Sequence, residues 1–245
     1  MQTALSAAVP AVFKLLAHDV RWRIVVHLAQ SDYRVGDLVD LVGERQNLVS
    51  YHLRLLRDAD LVGERRSSRD GRDIYYSLDL AHLGSGLDQS GSQLHPAFAR
   101  SQPSLEPPSR RSVLFLCTGN SARSQMAEAL VRKKARGRIS ASSAGTRPQG
   151  VHPVALEVLH DRGVRTAGLR SKRLDELEGG SYDLVVTLCD IAREECPSLP
   201  NHNELTHWSL ADPAAVNGSH EAVRRAFEQT ADELSERIDF LIRRQ

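Results

Sequence analysis

The run Cys117-Thr118-Gly119-Asn120-Ser121-Ala122-Arg123-Ser124 is the first place where residue types and spacing could do chemistry. It follows the apolar segment SVLFLC and runs into SQMAEALVRKKARG. That pattern predicts a buried strand, a loop and a helix in succession. A loop wrapped between a strand end and a helix N-terminus aims several backbone N–H groups at one point, and such a point attracts an anion. A thiol there sits in a positive field and is expected to ionise near neutral pH, which makes it a nucleophile. Arg123 offers a planar fork for two oxygens of a tetrahedral oxyanion. Ser124 can donate a hydrogen bond to the thiolate or to a departing sulfur. Gly119 is expected to allow the tight turn, and Asn120 to take a positive φ or hydrogen-bond the loop. Thr118, Gly119, Asn120, Ser121, Ala122 and Arg123 thus form a candidate oxyanion cup around Cys117. The bland alternative, a core cysteine that ends a strand, leaves the full strand–CTGNSARS–helix context without a reason.

The elements that must hold this loop alternate strand and helix. After SVLFLC (112–117) and the helix 124–137 come a strand ISASSAG, a helix HPVALEVLHDRG, a strand SYDLVVTLC (181–189), a short strand ELTHWSL and a long terminal helix. Such alternation implies an α/β domain with a central parallel sheet and right-handed crossovers. Its site belongs at the carboxyl ends of the strands.

The first segment reads differently: four helices, then a hairpin. Residues 10–30 are helical in pattern, with Val20, Ile24, Val25 and Leu28 at helical spacing. VGDLVDLV (35–42) is a short amphipathic helix broken by Gly43. RQNLVSYHLRLLRD (45–58) is another, with Leu48, Val49, Leu53 and Leu56 expected to face inward. LVGERR and DIYYSL flank the turn SSRDG as two strands. Helix–turn–helix followed by a β-hairpin is the winged-helix pattern. Between the halves, Gly84 to Ser109 is rich in Gly, Ser and Pro and is expected to be a linker, with a short helix possible over Gln93 to Ala99. The reading is two domains: 1–83 a mainly α winged helix-turn-helix, 84–110 a flexible linker, 111–245 the α/β domain.

Composition sets bounds. The 245 residues carry 32 Lys+Arg against 31 Asp+Glu, a net charge of +1, which excludes a chain-wide polycation but not a local basic patch. No apolar run approaches the length of a membrane span, so no membrane partner is expected. The opening MQTALSAAVPAVFKLLAHD lacks a basic stretch before a long apolar core, and a cytoplasmic location is expected. Cys117, Cys189 and Cys196 all lie in the second half and are too few for a disulfide framework, so they read as packing or redox residues.

Over about 111–245 the sequence resembles the low-molecular-weight tyrosine phosphatase fold, and within it the arsenate reductase branch. Ser124 is followed by Gln125-Met126-Ala127-Glu128, where phosphatases of the fold usually have Pro. HWSLADPA carries Asp212-Pro213 without the aromatic that typically follows in phosphatases. LCDIAREECPSLP places Cys189 and Cys196 seven apart, as in thioredoxin-coupled arsenate reductases. The resemblance implies a relay in which Cys117 attacks arsenate, Asp212 donates a proton to the departing oxygen, Cys189 attacks Cys117, and Cys196 attacks Cys189. Thioredoxin is then the expected electron donor, with no bound cofactor. Regular helix over 189–196 would span roughly 10 Å, whereas a disulfide needs Cα atoms within about 7 Å. A redox-driven rearrangement over 189–200 is therefore expected. In some relatives the residues corresponding to Asn120, Glu128 and Ser143 help hold a potassium ion. Here Ser171-Lys172-Arg173 brings a base where an acid would complete that site, so no metal is expected. His207 and Trp208 read as packing residues.

The first segment resembles the ArsR-type arsenic-responsive repressors over about 10–83, through LLAHDVRWRIVVHL, NLVSYHLRLLRDADLV and RDGRDIYYSL. The resemblance implies a recognition helix in the major groove of an operator, with Gln46, Asn47, Ser50, Tyr51 and Arg54 outward. Arg65, Arg66, Arg69 and Arg72 at the hairpin tip suit phosphates or the minor groove. It implies a homodimer through this domain. The helix VGDLVDLV has no sulfur for the family's usual arsenite sensor, and His18, His27, His52, His82 and His95 have no clear metal spacing. Two other readings remain: a tyrosine or small-phosphomonoester phosphatase, and a non-enzymatic regulator whose Cys117 loop senses an oxyanion or oxidation.

Overall fold

The computed structural model describes residues 8–69, 71–95, 98, 111–177, 180–195 and 199–243. The chain divides into two compact units, Met1–Arg65 with Ile74–Ser104 and Arg66–Asp73 with Leu105–Gln245.

The first unit contains α1 (Ala11–Leu16), α2 (Asp19–Leu28), β1 (Tyr33–Arg34), α3 (Val35–Val42), α4 (Gln46–Arg57), β2 (Val62–Arg66), β3 (Ile74–Leu78) and α5 (Leu80–Leu94). The sheet runs β1-β3-β2, and Tyr33 pairs antiparallel with Tyr76. The expected helix stretch 10–30 is two helices, separated where His18 caps α2 by accepting from the Val20 amide. Gly43 ends α3 at φ +71°, a left-handed cap that favours glycine. Ile24, Leu38, Val49, Leu53 and Leu56 are buried together.

Two expectations in this unit are corrected. Leu48 is exposed, and His52 takes the inward place beside Val49, Leu53 and Leu56. A helix repeats every 3.6 residues, so 49, 52, 53 and 56 share a face that 48 does not. The stretch from Gly84 to Leu94, read as linker, is the greater part of α5. Asp79 caps that helix by accepting from the His82 amide, and Gly86 lies against Val12, so the small residues serve close packing rather than extension. Most of 95–110 lies outside the described residues.

The second unit contains β4 (Arg111–Cys117), α6 (Arg123–Ala135), β5 (Ile139–Gly145), α7 (Pro153–Asp161), β6 (Ser181–Thr187), α8 (Asp190–Glu195), β7 (Asn201–His207) and α9 (His220–Arg243). Its strands form one sheet, β5-β4-β6-β7, and every pairing is parallel. Alternation along β4 sends Val113, Phe115 and Cys117 into the large core with Met126, Leu130, Leu159, Phe227 and Leu234. Leu114 and Leu116 face the other side, with Ala144 and Val185. β4 has β5 on one flank and β6 on the other, so the strand order reverses at β4. A ligand crevice opens at such a switch point, beyond the carboxyl ends, where Cys117 lies. β7 starts three residues earlier than ELTHWSL suggested, because it pairs with β6 from Ser181↔Asn201 to Thr187↔His207. The chain from Trp208 onward is thereby released to bring Asp212 back toward the site.

Among the described residues, no helix is long and apolar enough to cross a membrane.

Candidate oxyanion site and its cysteines

Cys117 closes β4 and is buried, with Gly145 beside it in the register. Residues 118–122 then loop over to the start of α6. The helix N-cap is Ala122, which has no side-chain oxygen to accept from the first helical amides. A helix normally satisfies those amides with a capping side chain; here they are left for an external acceptor.

The loop's orientation is fixed from behind. The carbonyls of Thr118, Gly119 and Ser121 accept from the amides of Arg147 (2.8 Å), Gln149 (3.0 Å) and His152 (3.0 Å). The carbonyl of Asn120 accepts from Ser171 Oγ at 2.9 Å. Carbonyls bound outward turn the N–H vectors of the same peptides the other way, toward the centre of the cup. This second layer, 147–152 with Ser171, was not legible in the sequence. The outward carbonyls also account for the glycine ending β5. A Cβ at Gly145 would stand 2.6 Å from the Thr118 carbonyl oxygen and 2.8 Å from the Asn120 amide. Gly145→Ala is expected to weaken phosphate or arsenate binding about tenfold, from 1–3 kcal/mol of local overpacking, with the far-ultraviolet spectrum unchanged. Competitive inhibition by phosphate measures this.

The positive φ expected at Asn120 is found there, at +40°. Its side chain makes the conformation worth its strain. Nδ2 donates to Ser124 Oγ (2.8 Å) and Ser143 Oγ (2.9 Å). Oδ1 accepts from Gln125 Nε2 (2.9 Å) and the Lys172 amide (2.7 Å). Ser124 Oγ is 3.0 Å from Cys117 Sγ. Because Ser124 already accepts from Asn120, its own hydrogen is available to the sulfur.

Arg123 is 5% exposed. Nη1 donates to the Leu210 carbonyl at 2.9 Å and Nη2 to Asp212 Oδ2 at 2.8 Å. Its buried Nε has no hydrogen-bond partner among the described residues. A buried donor left this way is costly unless a ligand takes it. Asp212 is also the cap of the turn Pro213–Ala215, accepting from the Ala214 amide at 3.1 Å. Cys117, Arg123, Ser124 and Asp212 are thus brought to one place by β4, α6 and the loop after β7.

Cys189 joins them. It lies two residues beyond β6, fully buried, with Sγ 3.3 Å from Thr118 Oγ1 and accepting from the Ala192 amide at 3.4 Å. Burial pushes its thiol above the ordinary range, and a charge on Cys117 pushes it further. Arg123, the Thr118 hydroxyl and the Ala192 amide pull the other way. α8 begins at the next residue, so the stretch 190–195 is helical. Cys196 lies outside the described residues. His207 is a buried anchor rather than a bare packing group: its ring meets Thr187 Oγ1 (2.9 Å) and Asp190 Oδ1 (3.2 Å). Trp208 packs on Phe115.

The oxygens named for a cation do not fit one. Asn120 Oδ1 is filled by two N–H donors, Ser143 Oγ accepts from Asn120, and Glu128 Oε2 faces the Lys172 ammonium at 3.4 Å. A cation would need those lone pairs. Among the described residues, no group of three or more His, Cys, Asp or Glu is placed to hold a metal.

In the first unit, Gln46, Asn47, Ser50, Tyr51 and Arg54 are all exposed along α4, and the Arg54 guanidinium lies 5.8 Å over the Tyr51 ring. Arg65 is half-buried on β2, while Arg66, Arg69 and Arg72, in the stretch that belongs to the second unit, are exposed. Sequence reasoning missed the meeting of His18 and His52, whose ring centroids are 4.3 Å apart.

Residues 112–244 match the family model "Low molecular weight phosphotyrosine protein phosphatase", and residues 18–63 match "Bacterial regulatory protein, arsR family". The arsenate reductase of Bacillus licheniformis is 37% identical over 130 residues, covering 53% of this chain and 94% of that protein. The arsenate reductase of Bacillus subtilis is 36% identical over 126 residues, covering 51% and 91%. A solved arsenate reductase in its phosphate-binding state aligns with a TM-score of 0.48 at 28% identity, over 54% of this chain and 96% of that one.

Proposed function

This chain belongs to the low molecular weight phosphotyrosine protein phosphatase family, joined to an arsR-family regulatory segment, and from that premise we propose that it reduces arsenate to arsenite and binds operator DNA. The observation that carries the reading is Cys189. A phosphatase transfers a phosphoryl group to one sulfur and then to water, and needs no second thiol. Here a second, fully buried thiol lies 3.3 Å from the hydroxyl of the residue after the nucleophile.

The chemistry balances as follows. Arsenate sits in the cup of amides 118–123, with Arg123 Nε and the N-terminus of α6 taking its charge. Cys117 Sγ bonds to arsenic, and one oxygen leaves as water after taking a proton from Asp212, which exchanges its contact with Arg123 for the substrate. Cys189 then attacks Cys117 Sγ. The sulfur–arsenic bond breaks with its electron pair on arsenic, which departs as arsenite, and a Cys117–Cys189 disulfide remains. Cys196 attacks Cys189, releases Cys117 and leaves a Cys189–Cys196 disulfide for thioredoxin to reduce. Two electrons leave the cysteines and two reach arsenic. Burial, with the charge on Cys117, holds the Cys189 thiol above its ordinary range, while Arg123 pulls it down.

The DNA half is assigned to the exposed face of α4 and to Arg65, Arg66, Arg69 and Arg72, with a homodimer through the first unit reading two half-sites. The test of the whole reading is NADPH oxidation coupled through thioredoxin reductase and thioredoxin. Arsenate-dependent turnover is expected, and hydrolysis of p-nitrophenyl phosphate without any arsenate-dependent turnover would select the phosphatase instead.

A further inference from the structure

We propose that Lys172 is a positioning residue for the nucleophilic loop, its ammonium serving as a tethered cation so that this chain requires no free monovalent ion. The inference rests on Cys117 being the reactive thiol, not on which oxyanion it meets. Lys172 Nζ lies 3.4 Å from Glu128 Oε2 and donates to the Arg170 carbonyl at 3.2 Å. The two side chains are 10% and 1% exposed, too deep for either charge to stand alone. Arg132 pairs with the other carboxylate oxygen from a half-exposed position.

From this ion pair a chain of hydrogen bonds runs to the sulfur, with the Asn120 amide donating both ways from its middle. Glu128 Oε2 can only accept, so Ser143 Oγ donates to it. Ser143 then presents a lone pair to Asn120 Nδ2 at 2.9 Å, and the same amide donates to Ser124 Oγ at 2.8 Å. The Ser124 hydrogen is left for Cys117 Sγ at 3.0 Å. The carboxylate orients the Ser143 hydroxyl, and left uncompensated it would set a negative charge behind the thiolate. Lys172 supplies the buried part of the compensation, beside the half-exposed Arg132, and also grips the loop through its backbone. Its amide donates to Asn120 Oδ1 at 2.7 Å and its carbonyl accepts from Gly145 at 2.9 Å. One residue therefore shares in neutralising the far end of the chain and holds its middle.

The experiment is the rate of Cys117 alkylation by iodoacetamide in the reduced full chain, mapped by mass spectrometry, in potassium, sodium or choline chloride at equal ionic strength. The unaltered protein is expected to react equally in all three at pH 7, with an equal thermal midpoint. Lys172→Ser is expected to react about tenfold more slowly in choline at pH 7. Potassium or ammonium should restore part of that loss. Lys172→Arg should stay within about twofold. A parent rate or melting midpoint raised specifically by potassium overturns the proposal. So does a Lys172→Ser protein, folded by circular dichroism, that alkylates like the parent. If Lys172→Ser does not fold, the cation comparison on the unaltered protein and on Lys172→Arg decides.

Discussion

Cys117→Ser should leave no arsenate-dependent NADPH oxidation in the thioredoxin-coupled assay, a fall of at least about three orders of magnitude. The expectation follows from the chemistry of the atom rather than from the fold. A serine hydroxyl in the same nest stays protonated at neutral pH, and it can neither form a bond to arsenic that a second sulfur would break nor enter a disulfide. The cup itself should survive. Its carbonyls are held by the amides of Arg147, Gln149 and His152 and by the Ser171 hydroxyl, and these bonds do not depend on the atom at position 117. Phosphate should therefore bind the variant within about threefold of the unaltered protein by calorimetry. Residual turnover within tenfold of the parent would remove Cys117 from the reaction.

Cys189→Ser is the second large effect, and it separates two chemistries on one loop. Arsenate reduction should fall by about three orders of magnitude, with no disulfide found by mass spectrometry after arsenate. Hydrolysis of p-nitrophenyl phosphate, which needs one sulfur, should remain within about threefold of the parent. The pH dependence has a definite sign. Burial raises the Cys189 thiol above its ordinary range, so at neutral pH only a small fraction is thiolate. That fraction grows about tenfold per pH unit below the pKa. The single-turnover rate of Cys117–Cys189 disulfide formation should thus climb between pH 6 and pH 8. A flat or falling profile would mean that Cys189 is not the group being deprotonated.

How much of this was legible in the sequence depends on how local the cause was. The strand–loop–helix at Cys117 was readable because an apolar run, a loop composition and a helical run follow one another within about two dozen residues. The parallel sheet was readable because parallel pairing leaves its alternation of elements in the chain. The register of β7 was not, since pairing with β6 is decided by residues about 20 positions away. The inward turn of His52 and the outward turn of Leu48 went against hydrophobicity. Helical phase settled the matter, and a ring against His18 gave the histidine a partner. α5 was hidden by its Gly and Ser content, which reads as linker until the close contact of Gly86 with Val12 is seen. The second layer of the site was the least visible. Gly145 and the backbone amides of 147–152 carry no motif, and their importance comes from where parallel crossovers return the chain.

The outward-facing carbonyls of residues 118–121 also bear on how the product departs. A receptacle whose shape is braced by its surroundings does not depend on its guest to stay open, so emptying it forfeits no folded structure. Arsenate arrives as a charged tetrahedron that such a receptacle fits, whereas arsenite leaves as a neutral pyramid with one fewer oxygen. The same rigidity that grips the reactant therefore offers the product little, and release needs no lid to lift.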